Sequence, residues 1–421
     1  MSNTVFNNHP IIKNSNQYFL EKKYISIHSE DRDITKYPIS SEFEILLPQE
    51  YLNVASAKLY SWSFPANYNV FSIINYNILM SFKFLELYNP GENGNPDQLT
   101  YYIFAALYEY MINDTNIQIT IDHGFYNPHQ MATELTNKFN QTVTNIINVY
   151  LNDPNNSVPN NIKTEFLAYT RFTIAYNSVA QKLFFGNNAD RFILTNELAA
   201  SITSNIVNQT CISRNLLPEL VNWGLPSYLG FTRCNATAYT VSEYNELLNE
   251  NAFITNLLNV NTSIPRFFYD AHNDGIWIEP DLTLIGSTIY YLQAPFKISF
   301  MGPSYLYMEI DGWNCIDETS PYNLSLYTIQ TNKRNSIVNS SFAKIPIPTT
   351  PISQWFDNDM GPYKYWNPVA EKISKIKVKF RYHNGLLAEF GQYAYSFMIE
   401  LNILKPQQEK IYSIVNAYDL S

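Results

Sequence analysis

One stretch of this sequence leaves its backbone almost no choice. Lys375-Ile376-Lys377-Val378-Lys379-Phe380-Arg381-Tyr382 alternates cation with apolar residue without a break. A strand sends successive side chains to opposite faces, so a period of two builds a half-buried strand with a basic outer face. A helix would scatter the same residues around its circumference. The basic face can dock an acidic neighbour or lipid head groups. It can equally be a solvated face, or an edge that uses Lys to prevent unwanted pairing.

The same period recurs along the chain. Phe43, Ile45 and Leu47 alternate with Glu42, Glu44 and Leu46, and Pro48 is expected to end that run. Ala57, Leu59 and Ser61 alternate with Lys58, Tyr60 and Trp62 up to Pro65. Ile78–Leu87 is a further run, closed by the turn-rich stretch Asn89–Pro96, and Ile117, Ile119 and Ile121 alternate with polar residues. Phe172–Tyr176 and Lys182–Phe185 read as a hairpin, continued by Phe192–Leu194. Composition agrees: the chain holds 33 Tyr and 26 Phe, and only 15% of its residues are charged, against about 25% in an average protein. Low charge suits a surface covered by neighbours, and codon bias in an AT-rich genome produces the same composition.

One segment changes period. Asn127 suits an N-cap and Pro128 a first helical position. Met131, Leu135, Phe139 and Val143 follow at spacings of four, which predicts an amphipathic helix over 127–148 packed on a sheet. At 421 residues the chain is long for one core. The expected division is an N-terminal arm, 1–23; a β-rich domain, 24–234; a polar connector, 235–266; a second β-rich domain, 267–404, with a long loop at 312–370; and a tail, 405–421. The second domain's expected strands are Gly275–Glu279, Leu282–Leu292, Phe296–Phe300, Leu306–Ile310, Ile373–Tyr382 and Tyr393–Leu404.

Little points to chemistry. A net charge of −10 argues against coating nucleic acid. Cys211, Cys234 and Cys315 are scattered, without the paired spacing of a zinc site or a disulfide scaffold. No signal peptide or membrane-spanning run is read. Glu309 and Asp311 fall on one strand face, as a glycosidase pair would, but the following Gly312, Trp313 and Asn314 supply no further acid. His123 and His129 flank a turn and lack two more metal ligands. Ser29-Glu30-Asp31-Arg32-Asp33 clusters acids without the spacing of a calcium loop, which leaves Arg32 to pin the first strand to the next loop. No catalytic residue, metal or cofactor is expected, and the protein is not expected to be an enzyme.

The order of motifs does carry a resemblance. Ser29 to Asp33, Tyr37-Pro38, Phe43 to Pro48, Phe64-Pro65, Gly124 to Tyr126 and Leu229-Gly230-Phe231 run through residues 24–90 and 117–232. In that order the chain resembles minor capsid proteins of nucleocytoplasmic large DNA viruses. The resemblance implies a mainly β protein with two jelly-roll-like antiparallel units, one amphipathic helix in the first, and extended terminal arms. It implies a virion protein on the inner face of the capsid, assembled in the host cytoplasm. Its partners would be the major capsid protein, other minor capsid proteins and the internal membrane, with a homo-oligomer as a further option and no nucleic acid. The motif residues would be structural, and Lys375, Lys377, Lys379 and Arg381 would dock a partner. The alternatives are a penton or vertex protein, and a surface jelly roll that binds or cleaves glycans, with Trp277 and Trp313 as a sugar platform.

Overall fold

The computed structural model describes residues 18–65, 69–85, 98–240, 243, 288–319, 339–347, 354–357 and 361–406. The described residues are mainly β, in antiparallel sheets, and their α-helices all fall between residues 69 and 302. The chain forms two compact units, and they are not the two that composition suggested. One joins the chain before residue 69 to the chain from 303 onward; the other is residues 69–302. The reason is long-range pairing: Phe43 stands opposite Val378, and Ala57 opposite Leu401.

In chain order, the discontinuous unit opens with β1 (Tyr18–His28) and β2 (Glu42–Pro65). The continuous unit holds β3 (Leu79–Leu85), α1 (Leu99–Ile112), β4 (Ile117–Thr120), α2 (Pro128–Asn152), α3 (Asn160–Glu165), β5 (Phe172–Asn177), β6 (Lys182–Asn187), β7 (Arg191–Thr195), α4 (Glu197–Thr210), α5 (Leu225–Tyr228), β8 (Ala236–Thr237) and β9 (Tyr290–Gln293). The chain then returns with β10 (Tyr305–Ile310), β11 (Ile316–Glu318), β12 (Asn339–Ser341), β13 (Ala343–Pro346), β14 (Gln354–Asp357), β15 (Lys364–Arg381) and β16 (Ser396–Pro406).

The discontinuous unit is built on one large sheet in the order β1–β16–β2–β15–β10–β13, with β14 on the end of β2, and a separate two-stranded sheet, β11–β12. Its inner face is a single core that includes Phe43, Val54, Phe64, Ile376, Val378, Phe380 and Ile399. Phe380 packs edge-on against Phe64, 5.2 Å between ring centroids, and against Phe397 and Tyr395. Pro48 does not end a strand; β2 runs through it for 24 residues. The pairing of β2 with β15 slips between Ile373 and Lys375, opposite Tyr51 and Leu46, and Pro48 falls in the extra residues of β2 at that bulge. Pro368 falls in the slip between Tyr365 and Ala370. A bulged residue owes the ladder no N–H, so proline is tolerated there, and the bulges bend the strands.

The continuous unit has two small sheets, β4–β3–β7–β8 and β5–β6–β9. The expected hairpin Phe172–Phe185 forms β5 and β6. The predicted helix is α2, longer than expected. Asn127 and Gln130 form a reciprocal capping box, Pro128 is the first residue, and Met131, Leu135, Phe139, Val143, Ile147 and Leu151 are buried. Helices α1 and α4 were not expected. In α1, Tyr101, Tyr102, Ile103 and Phe104 read as strand formers, and no side chain caps its start. In α4 the signal was present: Asn196 caps Ala199, and Ala199, Ile202 and Ile206 share the buried face.

Other boundaries shift as well. Residues 18–23 of the expected arm are already strand, and β16 runs into the expected tail. Residues 1–17, most of 235–266 and the expected strand Gly275–Glu279 lie outside the described residues. Phe296–Phe300 is described and is not a strand. The expected loop 312–370 lies partly outside the described residues, and its described pieces are largely strand: β13 extends the main sheet beside β10.

Candidate interaction surface

The corner after β1 shows what the Ser29–Asp33 motif does. The Arg32 guanidinium donates to three backbone carbonyls, those of Ser29 (2.6 Å), Tyr37 (3.0 Å) and Pro38 (3.4 Å). Asp33 accepts from the Thr35 amide and hydroxyl and the Lys36 amide, and these bonds hold its carboxyl below the usual range. Ser29 is fully buried: its amide donates to the Tyr395 carbonyl and its hydroxyl accepts from the Tyr395 amide, each at 2.9 Å. The Tyr395 hydroxyl donates to the Ser40 carbonyl, and burial drives its pKa well above the ordinary phenol value. Glu30 and Asp31 are exposed. The motif therefore folds the turn between β1 and β2 and ties it to the chain entering β16.

The other motif residues sit at comparable joints. Phe43 is fully buried. Gly124 exchanges two backbone hydrogen bonds with Phe71, and the Tyr126 hydroxyl donates to the Asp122 carbonyl; burial raises that phenol to about 12. Leu229 and Phe231 are buried. Gly230 has φ 92°, and a Cβ there would lie 2.2 Å from the Phe296 carbonyl oxygen, so a larger residue cannot occupy it.

The basic strand alternates as expected, with Ile376, Val378, Phe380 and Tyr382 buried. Its cations are not left uncompensated. Lys375 pairs with Glu44 at 3.3 Å, Lys377 with Glu42 at 3.1 Å, and Lys379 with Glu309 at 3.9 Å. Arg381 is only 3% exposed; it binds Glu309 and Glu318, and its guanidinium lies over the Tyr307 ring. Burial disfavours its charge, but the two carboxylates outweigh burial and raise its pKa. Acids on β2, β10 and β11 thus pair with each cation of the face expected to dock a partner, and Arg381 is buried among them. Part of the signal was visible, because Glu42 and Glu44 alternate on β2 as Lys375, Lys377 and Lys379 do on β15.

The same contacts dispose of the paired carboxylates. Glu309 is held by Arg381 and Lys379, and Asp311 lies in the turn beyond β10. Trp313 is 6% exposed, packed against Trp366 and Phe342, which removes it as a sugar platform; Trp277 lies outside the described residues. His123 and His129 border one open depression with Tyr126 and Glu134. Among the described residues no three metal-ligating side chains come together.

A surface that sequence reading missed lies on the outer face of β1, β16, β2 and β15. Tyr24, Glu400 and Lys58 stand opposite one another across three strands. Glu400 is 1% exposed, although it is on the outer face. It accepts from the Tyr363 hydroxyl at 2.9 Å, pairs with Lys22 at 3.3 Å and accepts from the Asn402 amide at 3.4 Å; Asn402 also donates to Ser56. Burial alone would raise the Glu400 pKa, but the Tyr363 and Lys22 bonds prevail and lower it. The same burial and contact push the Tyr363 phenol up to about 12. Tyrosines cover this network: Tyr24 (48% exposed) meets Tyr60 edge-on at 4.9 Å, and Tyr365 is 45% exposed. The Lys58 ammonium sits over Tyr363 at 5.0 Å and Tyr60 at 5.8 Å. Local pattern could not reveal the cluster, because its members come from four strands distant in sequence.

No protein-family model matches the chain. No curated protein matches it either. Among solved structures it is similar to the mavirus penton protein, at 6% identity and a TM-score of 0.35, covering 92% of this chain and 100% of that one. It is also similar to a chain of the Sputnik virophage, at 9% identity and a TM-score of 0.37, covering 91% of this chain and 98% of that one.

Proposed function

We propose that this protein is a structural virion component: a minor capsid protein that holds capsomers of the major capsid protein together and links the shell to the internal membrane or to neighbouring minor proteins. The observation that carries the reading is the Ser29–Asp33 corner. The motif at the head of the resemblance binds backbone carbonyls and the Tyr395 segment, which is architecture rather than catalysis. The pairing of Glu309 with Arg381 removes support from the glycan-cleaving alternative. An interface role also fits the exposed tyrosines, a residue type enriched where proteins meet. Many modest contacts repeated over a lattice give avidity.

The test is quantitative mass spectrometry of purified particles, with and without limited surface proteolysis. The expected result is many protected copies per particle. The copy ratio to the major shell protein separates a lattice position from a vertex one. Absence from particles overturns the proposal.

A further inference from the structure

We infer that the Lys22 amine and the Asn402 carboxamide, gathered on the buried Glu400 carboxylate, join in a covalent amide cross-link between β1 and β16, with loss of ammonia. The inference is argued from geometry and does not rest on the capsid reading.

Lys22 on β1 and Asn402 on β16 stand directly opposite each other. Residues so placed bring their Cβ atoms to about 5 Å, within reach of a lysine stem. Their two side-chain nitrogens meet at one atom: Glu400 Oε1 lies 3.3 Å from Lys22 Nζ and 3.4 Å from Asn402 Nδ2. An oxygen between a nucleophile and a leaving group can pass protons from the first to the second. That oxygen is fixed, because the Tyr363 hydroxyl donates to it at 2.9 Å. The carboxamide is fixed as well, since Nδ2 also donates to the Ser56 hydroxyl at 2.9 Å. Glu400 is 1% exposed and Asn402 7%, which keeps water, the competing nucleophile, from the carboxamide. The Lys22 side chain is 55% exposed, so its amine has room to swing from the carboxylate onto Asn402 Cγ. Lys58, which also stands opposite Glu400, is held over the rings of Tyr60 and Tyr363 instead.

In the step itself the Nζ lone pair forms a bond to Asn402 Cγ. The Cγ–Nδ2 bond breaks, and its electron pair leaves with the nitrogen. Lys22 starts as an ammonium with three protons. One stays on the new amide, and two pass through Glu400 to Nδ2, which departs as an ammonium ion. Charge is conserved, nothing is oxidised or reduced, and Glu400 ends as the carboxylate it began as. An amine and a carboxamide are inert towards each other in dilute solution; holding both on one oxygen supplies the proximity the reaction lacks there. The product ties the first described strand to the last.

Intact-mass spectrometry of the full chain, before and after prolonged incubation at physiological temperature, reads the bond. The expected mass is one ammonia below that of the sequence, and a tryptic digest should yield a branched peptide joining Lys22 to Asn402. Lys22→Arg keeps a cation on Glu400 without a reactive amine, and Asn402→Ala has no leaving group, so both should stay at full mass. Glu400→Gln should slow formation about a hundredfold or more. Wild-type chain held unfolded in urea should also stay at full mass. Circular dichroism confirms that each variant is folded. Full mass in the folded wild-type chain after incubation overturns the inference. So does ammonia loss without a branched peptide, the mark of a succinimide, or a branch at Lys58. Formation at the wild-type rate in folded Glu400→Gln overturns it too.

Discussion

Two sheet edges in this protein are treated in opposite ways. The edge of β5 is sealed by α2: Asn140 donates to the Phe172 carbonyl at 2.9 Å and accepts from the Phe172 amide at 3.0 Å. Thr136 accepts from the Ile174 amide at 3.0 Å, and Thr144 from the Tyr169 amide at 2.9 Å. Spaced four apart, these three side chains lie on one stripe of the helix and imitate a missing strand. The edge of β1 has no such cover among the described residues and is flanked by exposed tyrosines instead.

The largest expected break in this contrast is Asn140→Ala. It removes donor and acceptor together and leaves two backbone groups of β5 unpaired, at a cost of about 2–4 kcal/mol. Urea unfolding measures the loss, and an unchanged midpoint would mean that water replaces the seal without penalty. Glu400→Gln keeps the shape of the β1–β16 junction and removes its charge-assisted bonds, which should cost about 1–2 kcal/mol by the same measurement.

The pH response should separate the edges further. Glu400 is held below the ordinary glutamate pKa of 4.5 in the folded protein. Its contribution is therefore present above that value and lost as pH falls through the folded pKa. The seal on β5 uses Asn and Thr and does not titrate. Acidification below about pH 4.5 should loosen β1 first, read as earlier loss of protection in β1 than in β5. At neutral pH the smallest effect is in hydrogen exchange: the amides of Phe172 and Ile174 should exchange more slowly than the outward amides of β1. Equal rates would mean that the open edge is covered.

Local periodicity carried the reading of β2, β5, β6, β15 and α2, because each satisfies its own pattern within a few residues. It failed wherever the partner lies far along the chain. Nothing near Glu42 says that Lys377 will stand beside it, and nothing near Tyr24 announces Glu400 or Lys58. The division into units failed for the same reason, since β2 looks equally at home beside β3. Pro48 misled because a bulge, which excuses proline from pairing, depends on register. The exposed tyrosine cluster required four strands to be assembled first.

The interrupted connectivity has a consequence for synthesis. Residues 69–302 emerge as one continuous stretch and hold the partners of β3 through β9, so that unit can fold while the rest is still being made. β1 must wait longest, since its partner β16 spans Ser396–Pro406, while β2 can first pair with β15 (Lys364–Arg381). A chain broken off before that strand leaves β1 without its partner and one edge of β2 open. Joining β1 to β2 through the last described strand thus makes the large sheet a check on length, one that only a chain translated through Pro406 passes.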